Sequence, residues 1–412
     1  MENLVSDAIP AGLAGYDVVV VGLQPFDSVI GSNCRDIAME LAKQCRVLYV
    51  NPPLDRITAF RRGGINALFG GGKTSSQPAL QQVSERLWAF YPTVTLESIN
   101  RLPDGRLFDS LNRRNNERLA RSIQQAIQEL GFERIVLFND SDMLRSYYLD
   151  EWLQPELMIY YSRDNLLAVE YWQLHGARLE PALMKKADLV AANSAYLARL
   201  AAEHNPCSVD IGQGCDLSRF DPAQSYAVPV DLAGIQGPRI GYVGALSALR
   251  LDLNLLEFVA LERPDWQLVL VGPEDEAFRN SRLHTLRNVH FLGPKPGDEL
   301  PAYLYHMAVL MNPQQLNPVT VGNYPRKIDE YLAMGKPVVA VQTEAMAMFS
   351  RHVYLADNPD SFITLTDKAL RDGGPASPNE CIQFARSHTW AASVAALDRA
   401  VQEVIQQKPV TV

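Results

Sequence analysis

A chain of 412 residues, 47% hydrophobic and 21% charged, has the composition of a folded globular protein, and it is too long for one ordinary core. Its 38 basic against 47 acidic side chains give a formal charge of −9, which excludes the basic footprint of a nucleic-acid binder. No apolar run approaches the roughly 20 residues of a membrane helix, and the N-terminus lacks the basic start and apolar core of a signal peptide, so a cytoplasmic protein is expected. The five cysteines show no Cys-x-x-Cys pairing and are expected as reduced, buried thiols.

Asp17 to Gly22 (DVVVVG) is a continuous apolar run, the pattern of a strand buried on both faces of a parallel sheet. A polar loop follows, then helical periodicity from Cys34 to Gln44. A second apolar run, Arg46 to Val50, stops at Asn51-Pro52-Pro53. Strand, loop, helix and strand make a βαβ unit, so a Rossmann-like half is expected. Gly22 and Gly31 do not make a G-x-G-x-x-G fingerprint, and no dinucleotide site is expected there. Ile57 to Gln82 carries Arg61-Arg62, Gly70 to Gly72 and Ser75-Ser76, the marks of a long inserted loop. Its Phe60, Leu68, Phe69 and arginines suit peripheral contact with an anionic membrane; a solvated loop accounts for them as well. Leu87 to Val94 is expected as a strand, Arg114 to Leu130 as a helix ending at Gly131, and Arg134 to Phe138 as the next strand.

Asn139-Asp140-Ser141-Asp142 follows that strand. An Asp-x-Asp pair can hold a divalent cation, because hard cations take carboxylate oxygens. The tripeptide is common, however, and Asp also caps helices. Asp140 and Asp142 are therefore expected as a cap or as cleft residues, with no required metal. Leu157 to Tyr161 is another strand, ending in Ser162-Arg163-Asp164-Asn165. Asp164, at a strand end of an α/β domain, is placed for acid–base work or for a hydroxyl; an exposed ion pair with Arg163 fits it equally. Glu180 to Lys186 leads into the strand and turn Ala187 to Ser194 and a helix after it. Asp221 to Gly237, rich in Pro, Ala and Gly, is the linker.

Beyond it the architecture restarts. Arg239 to Val243 is a strand opening onto Gly244, which lets the backbone approach a phosphate; a helix follows near Leu251 and Asp252. Arg250 in that loop is a candidate phosphate cation, or a solvated arginine. Trp266 to Val271 ends in Gly272-Pro273, and Val289 to Leu292 ends in Gly293-Pro294-Lys295. Leu300 to His306 is helical and Val309 to Asn312 is a strand. From Asn317 a polar turn becomes an amphipathic helix with Ile328, Tyr331, Leu332 and Met334 on its inward side. Gly335 ends it before the strand Val338 to Val341. Lys327 and Glu330 stand one turn apart at the helix mouth, where free N–H groups and the positive dipole end gather. A cation with amide donors suits a diphosphate, and a carboxylate one turn along suits a sugar or ribose diol. An ordinary crossover with a surface Lys–Glu pair fits the same residues. Pro378 to Gln407 is helical. None of the seven histidines stands at metal-ligand spacing, and His290 and His388 are expected to pack or to face solvent.

Pro325 to Val339, P-x-K-x-x-E-Y-L-A-x-G-K-P-V-V, resembles the nucleotide-sugar site of GT-B glycosyltransferases, nearest to bacterial enzymes of exopolysaccharide, teichuronic-acid and related cell-surface glycan synthesis. Ala187 to Ser194 resembles the family's A-D-x-V-x-x-x-S element. Asp210 to Phe220 is similar to its interdomain P-N-G-V-D-x-x-x-F element, with Gly214, Asp216 and Phe220 retained and Gln213 and Cys215 replaced. The resemblance implies an α/β GT-B fold of two Rossmann-like domains facing a central cleft, with the C-terminal helix returning to the N-terminal domain at Ser387-His388-Thr389-Trp390. Residues 1–220 with 386–412 would form the acceptor domain and 221–385 the nucleotide-sugar domain. It implies a retaining hexosyltransferase that needs no cofactor and takes a nucleoside-diphosphate sugar as co-substrate. Gly244, Arg250, Gly272, Gly293, Pro325, Lys327 and Glu330 would hold that donor, Glu330 on the ribose hydroxyls and the Gly293 loop on the nucleobase. Asp164 and Asp140 are the candidate catalytic or acceptor residues, the acceptor being a saccharide or a lipid-linked saccharide, with the enzyme at the inner face of the membrane. The broader retaining family brackets this turn with two glutamates, and Gly322 stands where the first would fall. That substitution keeps open a catalytically degenerate partner protein. A sugar-nucleotide epimerase also uses two such domains, and would need further acid–base residues.

Overall fold

The computed structural model describes residues 12–28, 31–61 and 78–407. The chain divides into two compact units, Met1–Gly212 with Trp390–Val412, and Gln213–Thr389.

The first unit is built on strands β1 (Asp17–Val21), β2 (Arg46–Val50), β3 (Leu80–Ser84), β4 (Leu87–Phe90), β5 (Ile135–Asp140), β6 (Leu157–Ser162), β7 (Leu189–Ala192) and β8 (Ser208–Asp210). They form one sheet in the order β3-β4-β2-β1-β5-β6-β7-β8. All pairings are parallel apart from the β3–β4 hairpin. Helices cover both faces of the central strands, so β1 and β5 are buried along their whole length, and Val18 to Val21 and Ile135 to Phe138 are apolar runs rather than alternations.

Three local expectations change. The strand β3 was not anticipated: its sequence LQQVS is polar and lies at the sheet edge, where no buried face imposes a pattern. The helix expected from Arg114 begins at Arg106, behind Gly105, and its first turns bury Phe108. Strand β5 runs on to Asp140, so Asn139 and Asp140 belong to the sheet and not to a loop. Within the anticipated insertion, a helix spans 56–61 with Ile57 and Phe60 exposed, and Leu80 to Gln82 belong to β3. Arg62, Leu68, Phe69, Gly70 to Gly72, Ser75 and Ser76 lie outside the described residues.

The second unit carries β9 (Arg239–Val243), β10 (Gln267–Val271), β11 (Val289–Gly293), β12 (Val309–Asn312), β13 (Val338–Val341) and β14 (Tyr354–Ala356), in the order β11-β10-β9-β12-β13-β14. Every pairing is parallel. The strand order reverses between β9 and β12. In an open α/β sheet the connections after two such strands leave in opposite directions and open a crevice at their carboxyl ends, where ligands bind.

The unit boundaries fall at Gly212/Gln213 and Thr389/Trp390, against the expected 220/221 and 385/386. The reason is packing. Phe220 is buried in the core of the second unit, and the Cys215 N–H donates to the His388 carbonyl at 3.0 Å, so both connecting segments belong to that unit. The helical tail is likewise two helices. Pro378–Ser387 packs on the second unit's helix Lys327–Ala333, and Trp390–Gln407 returns Val394, Leu397 and Val401 to the core of the first.

Candidate nucleotide-sugar site

The helix Lys327–Ala333 is held at its C-terminal end and along its buried face by features its sequence carries. Gly335, at φ +65°, ends it, and the Lys336 N–H donates back to the Tyr331 carbonyl at 3.2 Å. Ile328, Tyr331 and Leu332 are fully buried, as their spacing requires. The Tyr331 hydroxyl accepts the Val243 N–H at 2.9 Å, which pins the helix to the end of β9. One turn earlier, Lys327 is therefore carried to the loop that follows β9.

There it meets Gly244. A Cβ placed on Gly244 would lie 3.3 Å from Lys327 Cε and 3.4 Å from Nζ, so the amine stands directly over that backbone. Lys327 Nζ donates to the Tyr242 hydroxyl at 2.6 Å and lies 4.5 Å from the centre of its ring. Gly272 is required by contact as well as by its φ of +151°: a Cβ there would lie 1.9 Å from the Gly244 carbonyl oxygen. The Gly272 N–H in turn donates to the Gly293 carbonyl at 2.9 Å. Three of the glycines singled out in the sequence thus follow three adjacent strands and touch in series, with Lys327 above the first.

Arg250 is exposed and lines one recess with Lys327, Pro325, Asn312, Gln314 and Tyr324. Among the described residues neither Arg250 nor Lys327 forms a direct ion pair with a carboxylate, and two positive charges face one small space. Like charges held together in this way are the electrostatic complement of a polyanion. Burial pushes the Glu330 carboxyl above its ordinary range, against the opposing pull of Arg326 and Lys327. Its oxygens accept no hydrogen bond from the described residues, so a ligand hydroxyl would not have to displace one.

Two participants were not singled out in the sequence. Tyr242 forms the floor under Lys327; its only sequence signal was an aromatic residue just ahead of Gly244. Arg326, the unread position between Pro325 and Lys327, adds a third cation, which acts electrostatically on Glu330, Asp329 and Cys215. His388, expected to pack or to face solvent, packs against Phe349 and Phe384 and also has Nδ1 2.8 Å from Asp329 Oδ1, a pairing across 59 residues that no local pattern signals. His290 bonds Gln267 at 2.7 Å across neighbouring strands.

In the first unit the two carboxylates of Asp140 and Asp142 do not converge. Asp140 is 0% exposed at the end of β5; its Oδ1 takes Arg163 Nε at 2.7 Å, and its Oδ2 takes the Leu23 N–H at 3.1 Å. Asp142 caps the turn that follows, accepting the Arg145 N–H at 2.8 Å and pairing with Arg145 Nε at 2.6 Å. Asp140 therefore holds the loop after β1 and orients Arg163. Asp164, with a side chain 39% exposed and 3.5 Å from Arg163, is the more accessible of the two candidate carboxylates. It lines a recess at the end of β6 with Ser162, Glu180 and His204.

Residues 237–372, inside the second unit and spanning β9 to the helix after β14, match the family described as Glycosyl transferases group 1. The putative teichuronic acid biosynthesis glycosyltransferase TuaH of Bacillus subtilis (strain 168) is 27% identical over 242 residues, a match covering 55% of this chain and 60% of that protein. The chain thus matches less than two thirds of the length of that curated relative. Sucrose-phosphate synthase from Thermosynechococcus elongatus superposes with a TM-score of 0.65 at 15% identity, covering 95% of this chain and all of that one (100%). Anabaena HepE in complex with UDP and glucose superposes at 0.62 with 15% identity and coverage of 95% and 100%. An E. coli structure described as trehalose-6-phosphate, bound with UDP-2-fluoro glucose, superposes at 0.65 with 11% identity and coverage of 94% and 99%. The fold is GT-B, an α/β fold of two parallel-sheet units.

Proposed function

We propose that the protein is a glycosyltransferase that moves a hexosyl group from a nucleoside-diphosphate sugar to an acceptor hydroxyl. The observation that carries this is the placement of Lys327 Nζ over Gly244, with the unpaired Arg250 in the same recess. In transfer the bond from the anomeric carbon to the diphosphate breaks, a bond to the acceptor oxygen forms, and the acceptor hydroxyl gives up its proton. The charge that develops sits on the departing diphosphate, and fixed cations with backbone N–H groups stabilise it without having to reorganise. Lys327, Arg250 and the Gly244 backbone take that role, with Arg326 as a further cation. Glu330 binds a hydroxyl of the ribose or sugar, and the strand-end glycines Gly272 and Gly293 admit the nucleobase against backbone. Asp164 contacts the acceptor hydroxyl, and Asp140 acts through Arg163.

The ligands bound in the similar solved structures make a uridine nucleotide the first donor to test, and the likeness to TuaH supports an acceptor of cell-surface glycan type, a saccharide or a lipid-linked one. The retaining outcome, a cytoplasmic location at the inner membrane face and membrane contact through 57–82 belong to the same proposal. The test is thermal shift against UDP-, GDP-, ADP- and dTDP-sugars, since a ligand specific for the folded state raises the melting temperature with its saturation. A shift with one nucleotide family that Glu330→Ala abolishes supports the donor site; no shift with any of the four overturns it. Gly322 favours a second reading, a non-catalytic partner protein, and that reading is distinguished by donor binding without transfer or donor hydrolysis.

A further inference from the structure

The helix Lys327–Ala333 has seven residues and no side-chain N-cap, too little to hold its own first turn in place. That turn carries Arg326 and Lys327. What holds it is a set of three side chains lying beneath it. Asp329 is 0% exposed. The Tyr324 hydroxyl donates to Asp329 Oδ2 at 2.8 Å, and His388 Nδ1 lies 2.8 Å from Oδ1 and 3.1 Å from the Tyr324 oxygen.

We propose that Tyr324, Asp329 and His388 are positioning residues for the cations that receive the donor diphosphate. Tyr324 and Asp329, five residues apart, close a side-chain ring around Pro325, Arg326, Lys327 and Ile328. The ring fixes the direction in which the first helical turn leaves the recess. His388 ties the ring to the rest of the second unit. Its carbonyl accepts the Cys215 N–H at 3.0 Å, in the segment with which the second unit begins. The turn is thereby anchored to the segments with which the second unit begins and ends, at Gln213 and Thr389. A wholly buried carboxylate is a costly way to secure a turn, and burial does push the Asp329 carboxyl upward. Two donors offset that cost, and Arg326 adds a favourable charge. The His388 ring also packs edge-to-face on Phe349 and Phe384, and His352 stacks on Phe384.

This inference rests on the donor reading above, and the experiment separates the two. The probe is UDP, titrated calorimetrically into the full chain and its variants at a temperature where each keeps the native circular dichroism spectrum. Asp329→Asn turns one acceptor into a donor that faces another donor, and UDP binding weakens about ten-fold. Tyr324→Phe removes a single oxygen, leaves the ring against Phe349, and weakens binding about three-fold. It keeps the test open should the Asn variant fail to fold. The double variant binds no more weakly than Asp329→Asn alone, because both act through one ring; independent structural damage would add instead. His388→Asn, which keeps a donor near the Nδ1 position, restores most of what His388→Ala loses. If UDP binds and Lys327→Met weakens it, while Asp329→Asn and Tyr324→Phe bind within two-fold of the parent, the positioning role is overturned and the donor site stands. If the parent chain binds none of UDP, GDP, ADP or dTDP, the donor reading falls and this inference with it.

Discussion

Lys327→Met removes the charge over Gly244 and keeps most of the aliphatic stem, which makes it the sharpest test of the donor site. Two unit charges 4 Å apart interact by about 4 kcal/mol at the effective dielectric of a protein surface, and a net charge-assisted hydrogen bond retains about 1.5–3 kcal/mol of such an interaction. Lys327 lies directly over the Gly244 backbone, so a phosphate placed at those amides lies within this range of its amine. The dissociation constant for a nucleoside diphosphate is therefore expected to rise roughly 10- to 150-fold. Folding should change little. The lost contacts are the hydrogen bond to the Tyr242 hydroxyl and a cation over its ring, the latter worth about 0.5–1 kcal/mol, and that hydroxyl keeps the Ala245 carbonyl as an acceptor at 3.3 Å. The assay is calorimetric titration with UDP at two ionic strengths. Affinity of the parent chain falls with salt, and that dependence flattens in the variant. A dissociation constant within two-fold of the parent's, or an unchanged salt dependence, would refute a phosphate role for Lys327.

Arg163→Met leaves Asp140 buried without its partner, and breaking such a pair costs about 3–5 kcal/mol, whereas Asp164→Asn at the exposed end of the same cluster costs less than about 1 kcal/mol; urea melts of the two variants decide whether Asp140 or Asp164 carries the structural load. Glu330→Gln is expected to raise the melting temperature at pH 7 while abolishing donor binding. The sign follows from its raised carboxyl pKa: a group that the fold prefers protonated costs stability once ionised, and that cost fades as pH falls toward the carboxyl's unfolded value of about 4.3. The gain in the variant should accordingly shrink between pH 7 and pH 4.5, and equal melting temperatures at pH 7 would count against it.

Much of the second unit could be read directly along the chain. Its strands are buried on both faces, so apolar runs mark them; the stop at Gly335, the inward face of the helix and the spacing of Lys327 and Glu330 follow from helical geometry alone. Glycines after β9, β10 and β11 were visible as residues, but that Gly272 must be glycine because the Gly244 carbonyl fills its Cβ position is a fact of the sheet. The domain boundary was legible only to within several residues, because Phe220 and Cys215 take their unit from what they pack against.

Periodicity, turn chemistry and helix caps act over a few residues, and to that extent the amino-acid sequence by itself determined the strands, the helices and the Pro325–Glu330 turn. Side chains far apart in the chain meet only after the sheets close. The tertiary structure therefore decided that Asp140 is committed to Arg163 and Asp142 to Arg145, that Tyr242 lies under Lys327, and that His388 reaches Asp329. A carboxylate's neighbours, rather than its position in a motif, set whether it caps, pairs or stays open to a ligand.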